Sequence, residues 1–184
     1  IWQSLTSKET YGTTGDRILL WFDLVRQDSL IPMGSTVNQS DNPIFRVKAV
    51  GAFEQKPGCP DYSSTDITQE EIERICKNEC YNPSDKRKNI SRIEVVKITP
   101  QITQTEPIEK LIFDVWKTFE CNPSQQGCEI EFEDEDFKDN SRDTIYYVRA
   151  IQEPSPVVNG GNLRCTYNDK GECIKVNICY GDSR

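Results

Sequence analysis

Apolar residues recur with a period of two along much of the chain, the spacing of a strand with one buried face. In PIFRVKAVG (43–51), Phe45, Val47 and Ala49 alternate with Arg46 and Lys48. In EIEFED (129–134), Ile130 and Phe132 alternate with carboxylates. RILLWFDLV (17–25), SRIEVVKIT (91–99), WKTFE (116–120) and TIYYVRAIQE (144–153) are rich in β-branched and aromatic residues and read as further strands. LRCTYNDKGECIKV (163–176) reads as a hairpin, with Asn168, Asp169, Lys170 and Gly171 at the turn. IPMGS (31–35) is a turn.

Helical spacing occurs twice. Ile1, Trp2 and Leu5 fit the last turns of an amphipathic helix, with Gly12 placed to end it. Thr68 and Glu71 form a capping box ahead of Ile72, Ile75 and Cys76, which predicts a short helix over 69–79. The segments 54–65 and CYNPSDKRKN (80–89) read as loop. Many short strands with turn signals between them predict a mainly β fold, an immunoglobulin-like β-sandwich with one inserted helix and disulfide-pinned loops.

Composition narrows the function classes. The chain has 184 residues, with 35% hydrophobic and 28% charged, and a mean hydropathy of −0.66. One domain of this size holds one sandwich core. The net charge of −8 argues against nucleic acid and anionic membranes, whose affinity rests on Lys and Arg. No run is long and apolar enough to span a bilayer. There is no histidine, which removes Ser-His-Asp and Cys-His catalysis and His-based zinc sites. The chain opens on Ile1-Trp2 without Met and reads as a fragment of a longer protein.

Eight cysteines in an acidic chain favour disulfides and an oxidising compartment. Zinc is the rival, on the Cys76-x-x-x-Cys80 spacing with Cys59 near, but there is no CxxC pair and no His. Cys121 and Cys128 bracket NPSQQG and predict a small closed ring. Cys59 would pair with Cys76 or Cys80, and Cys165 with Cys173 or Cys179.

Three constellations carry candidate chemistry. In YGTTGDR, Thr13, Thr14, Gly15 and Arg17 supply hydroxyls, close backbone approach and charge suited to an anion, though a cap running into a strand explains them as well. Glu133, Asp134, Asp136 and Asp139 offer hard oxygens for calcium, against the simpler reading of a strand and a solvated turn. Trp2, Trp21, Trp116, Tyr146 and Tyr147 suggest a sugar-stacking platform, against the simpler reading of core aromatics.

The runs KETYGTTGDRILLWF, CKNECYNPSDKRKNISRIEVVKITPQ, EFEDEDF with RDTIYYVRAIQEPSPVVNGGNLRC, and ECIKVNICYGDSR resemble the carboxy-terminal part of the bacterial domain-of-unknown-function family 3604. Members of that family resemble PHP proteins (polymerase and histidinol phosphatase), exported and with a metal-dependent phosphoesterase-like barrel. The resemblance implies that residues 1–12 are the remnant of the last barrel helix and that 13–184 form the β-sandwich domain. It implies a periplasmic or secreted bacterial protein, with the chain's own amino-terminal PHP-like domain as its partner. The parent would be a metal-dependent hydrolase. A divalent metal is implied for that missing domain alone, since the family's histidine ligands have no counterpart here. This chain would be a non-catalytic accessory domain without a cofactor. The alternative is a carbohydrate- or calcium-binding module.

Overall fold

The computed structural model describes residues 1–27, 29–76, 80–140, 142–155, 165–170 and 173–176. In chain order its strands are β1 (Leu19–Arg26), β2 (Ser29–Pro32), β3 (Ile44–Val50), β4 (Phe53–Gln55), β5 (Pro83–Arg87), β6 (Ile90–Ile98), β7 (Ile112–Glu120), β8 (Cys128–Glu133), β9 (Ile145–Gln152), β10 (Cys165–Tyr167) and β11 (Cys173–Val176). Among the described residues, helices α1 (Trp2–Thr6) and α2 (Gln69–Cys76) accompany them, with 3-10 turns at Asp61–Ser64 and Ile108–Lys110. The chain divides into two compact units, Ile1–Glu153 and Pro154–Arg184.

The first unit is mainly β, as the alternation predicts. Strands β2-β1-β3-β8 form one antiparallel sheet and β7-β6-β9 another. Their apolar faces pack together as a β-sandwich. Phe45, Val47 and Ala49 of β3, with Cys128 and Phe132 of β8, meet Ile90, Ile93 and Val95 of β6. Phe22, Trp116, Phe119, Tyr146 and Val148 close around this cluster. Val47, Ile93 and Val95 are fully buried, and each contributes about 1.5–3 kcal/mol relative to an exposed side chain. The opposite face of the first sheet is charged. Arg46 lies between Glu129 and Glu131, and Lys48 lies 3.9 Å from Glu129. These pairs are half-exposed and each contributes roughly 0–1 kcal/mol.

Elements differ from the sequence expectation where pairing overrides local preference. The polar run Pro83–Arg87, read as loop, is a strand because it pairs with β4, Phe53 opposite Arg87. The Arg87 guanidinium lies 3.8 Å from the centre of the Phe53 ring and donates to the Gly51 carbonyl at 2.8 Å. Helix α2 begins on its capping box: the Thr68 N–H donates to Glu71 at 3.0 Å, and the Glu71 N–H to the Thr68 hydroxyl at 3.3 Å. Ile72 is buried, while Ile75 is exposed. Helix α1 ends earlier than Gly12. Lys8 takes the left-handed conformation (φ 60°). The Glu9 N–H donates to the Ser4 carbonyl at 3.0 Å and the Lys8 N–H to Leu5 at 3.3 Å, a Schellman cap.

Two disulfides are present among the described residues. Cys59 is bonded to Cys80, deciding between its two predicted partners, and Cys121 is bonded to Cys128. Gly127 makes the second ring possible. Its φ is +94°, and a Cβ there would sit 2.2 Å from the Ala49 carbonyl oxygen.

The second unit was expected to be the last part of the sandwich domain. Its described strands β10 and β11 pair with each other, Cys165 opposite Val176 and Tyr167 opposite Cys173. The Lys170 N–H donates to Asn168 Oδ1 at 3.0 Å in the turn. The proposed pairing of Cys165 with Cys173 or Cys179 involves side chains outside the described set.

Candidate functional site

A cleft of about 870 Å³ lies at one end of the sandwich in the first unit. One wall is the segment joining β2 to β3. The other is the turn joining β8 to β9. The walls are tied together by Asn42, whose Nδ2 donates to the Glu135 carbonyl at 3.0 Å and whose Oδ1 accepts from the Lys138 N–H at 3.0 Å. Gly34 (φ +88°) lets the first wall pass under the end of α1. A Cβ at Gly34 would lie 2.5 Å from the carbonyl oxygens of both Ser7 and Lys8.

The cleft has an apolar floor. Phe22, Leu24 and Ile31 line it, with Phe45 and Tyr146 from the core. Ile31 pairs opposite Leu24 and so points to the same face of the sheet. Side chains of the inner face are buried on β3 but only half-buried on β1 and β2.

Charges around the cleft differ in how well they are matched. Arg142 is hydrogen-bonded to Glu106. That contact, with the Ile102 N–H at 2.8 Å from Glu106, holds the Glu106 carboxyl below the usual range. Lys138 lies 3.9 Å from Asp41. Asp23, between the floor residues Phe22 and Leu24, alternates to the charged outer face opposite Arg46; it forms no salt bridge among the described residues, and burial raises its carboxyl above the ordinary value, against the opposing charge of Arg46. Asp143, exposed on the rim, also forms none among the described residues.

Below the cleft lies a buried polar cluster. Alternation on β6 points Lys97 to the same side as Ile93 and Val95, so its chain runs into the core. Its ammonium is 2.5 Å from Asp134, which is fully buried just past β8. The Tyr146 hydroxyl donates to the same carboxylate oxygen, and Lys97 lies 5.0 Å from the centre of the Trp116 ring. Burial, reinforced by the Asp134 carboxylate, pushes the Tyr146 phenol well above its usual range. Backbone bonds complete the anchor: the Asp134 N–H donates to the Pro43 carbonyl at 3.1 Å, and the Asp136 N–H to Asp134 Oδ1 at 3.3 Å.

This arrangement separates the predicted calcium candidates. Asp134 turns inward and is matched by Lys97, while Glu133, Asp136 and Asp139 are exposed. No group of three or more potential metal-ligating side chains converges among the described residues. The anion loop is likewise divided. Asp16 bonds to Gln152, and Arg17 stacks 4.7 Å over the Tyr81 ring. Thr13, Thr14 and Gly15 are exposed, with Gly15 at φ +147°. The aromatic platform does not assemble. Trp116 and Tyr146 pack 6.0 Å apart against the core, while Trp2, Trp21 and Tyr147 are exposed.

Sequence reasoning missed Lys97 and the cleft. A lysine in phase with Ile93 and Val95 is the one local signal that a buried partner was needed. Among the described residues two disulfides are present, and no helix is long and apolar enough to cross a membrane. Compared with protein-family models, curated proteins and solved structures, the chain matches none of them.

Proposed function

We propose that this chain is a non-catalytic β-sandwich module that packs against the catalytic domain of an exported, PHP-like, metal-dependent phosphoesterase. The observation that carries the reading is a concentration of exposed apolar side chains near the amino-terminal end: Ile1, Trp2, Leu5, Tyr11, Leu19 and Trp21. Helix α1 buries none of its own residues. Exposed apolar side chains on a helix that buries none of its own residues are available for a protein–protein contact. The resemblance to family 3604 motivates the choice of partner, and the disulfides suit an oxidising compartment. The absence of histidine in the sequence supports inactivity of the chain by itself. A phosphoesterase assay of the chain with Mn²⁺ or Zn²⁺ on a generic aryl phosphate tests this. No turnover is expected; activity that survives repurification overturns the reading.

A further inference from the structure

We propose that Lys97 and Asp134 react with each other in the folded protein, forming an intramolecular amide that ties β6 to the turn after β8. The reacting groups are already in contact. The Lys97 ammonium lies 2.5 Å from Asp134 Oδ2. One carbon–oxygen bond of about 1.2 Å separates that oxygen from Cγ, so the nitrogen is no more than about 3.7 Å from the carbon it would attack. That is close to the separation of a near-attack geometry. The fold holds both groups in place. Lys97 is on the central strand of its sheet, opposite Phe113 and Tyr146. Asp134 is anchored by its N–H to the Pro43 carbonyl at 3.1 Å.

The surroundings suit condensation. Asp134 is fully buried, and the Lys97 side chain is only 7% exposed. The Trp116 ring lies 5.0 Å from the ammonium, and Phe132 and Tyr146 pack against Trp116. A dry site favours the neutral forms of an amine and an acid, which are the reactive ones, and offers little water to reverse the reaction. Both carboxyl oxygens are engaged as well. Oδ1 accepts from the Asp136 N–H at 3.3 Å, and Oδ2 accepts from the Tyr146 hydroxyl. The first bond is placed to hold negative charge developing on Oδ1. The second assists the departure of Oδ2.

The step balances without a co-reactant. One ammonium proton passes to Oδ2, leaving an amine and a carboxylic acid. The Nζ electron pair forms the bond to Cγ, and the carbonyl pair moves onto Oδ1. When the carbonyl re-forms, the Cγ–Oδ2 bond breaks and Oδ2 departs as water with a second proton from Nζ. The third proton stays on the amide, and nothing is oxidised or reduced. No further carboxyl converges on the pair among the described residues to shuttle protons, so the reaction is slow. Newly folded chain therefore holds the ion pair, and the amide accumulates with time.

Intact-mass measurement of the reduced and alkylated full chain, fresh and after a week at pH 7, tests the proposal. The stored chain is expected to weigh one water molecule less than its sequence. Trypsin should then release a branched peptide in which 93–110, uncut after Lys97, is joined to 118–138. Two controls are expected to keep their full mass: Lys97→Arg, which retains the positive charge without a comparable nucleophile, and wild-type chain stored unfolded in guanidinium chloride. Full mass in the stored, folded wild type overturns the proposal. So does a lost water with Lys97 and Asp134 still in separate linear peptides, or equal loss in either control.

Discussion

Lys97 joins the two sheets through a single ion pair. Its ammonium and the Asp134 carboxylate are both out of water, so each charge depends on the other. Removing one partner strands the other, at a cost of about 3–5 kcal/mol, whereas replacing both by apolar groups is often near neutral. Lys97→Met is therefore expected to lower the urea midpoint sharply, and Lys97→Met with Asp134→Leu to recover most of the loss. Asp23 behaves in the opposite sense. Its carboxyl is raised above the ordinary 3.8 by burial, so the folded state holds the proton more tightly than the unfolded state does. The resulting destabilisation is absent below the ordinary value. It grows as pH rises through the interval up to the raised value and persists above it. Asp23→Asn should thus raise the melting temperature at pH 7 and lose that advantage toward pH 3, a contrast that paired thermal melts at the two pH values would measure.

Local pattern and long-range pairing share the specification of the elements unequally. Strands β3 and β8 were legible because apolar and charged residues alternate along them and one face is buried, and β9 because it is rich in β-branched and aromatic residues. Strand β5 was not, since PSDKR has no apolar face and is a strand only through β4. The cap of α1 was misplaced for a related reason: glycine is the usual left-handed residue, but Lys8 takes that role here. The cleft escaped notice because its walls come from segments far apart in sequence, 33–40 on one side and 137–140 with 142–146 on the other, with no motif in either. The excursion between β4 and β5 carries α2 and is closed by Cys59–Cys80 at a sequence separation of 21. Loop-closure entropy alone assigns that bond about 3 kcal/mol. A Cys59→Ser, Cys80→Ser double variant should unfold at correspondingly lower denaturant. It should also be cut by protease within 59–80 before the sandwich is cut.

Across the first unit, apolar exposure is uneven. Trp2 is 82% exposed and Leu5 57%. Neither contributes to the core, so Trp2→Ser with Leu5→Ser should leave the stability of the isolated chain within about 0.5 kcal/mol. The same pair of changes should weaken association with a PHP-like domain supplied in trans, measurable by sedimentation. Unchanged association would remove α1 from the contact.

The register of the first sheet also fixes an order of events. Ala49 lies opposite Cys128 and Ile44 opposite Glu133, so β3 gains its second neighbour only after most of the unit exists as chain. Strand β6 waits in the same way for β9, with Ile98 opposite Ile145. Contacts this distant in sequence slow folding to the millisecond-to-second range. During synthesis, neither sheet is complete until its last strand has been made. Until then Phe45, Val47 and Ala49 lie along an unprotected edge, exposed to other nascent chains. The protein thus depends, for a brief interval in every molecule's life, on whatever keeps that edge from pairing with a stranger.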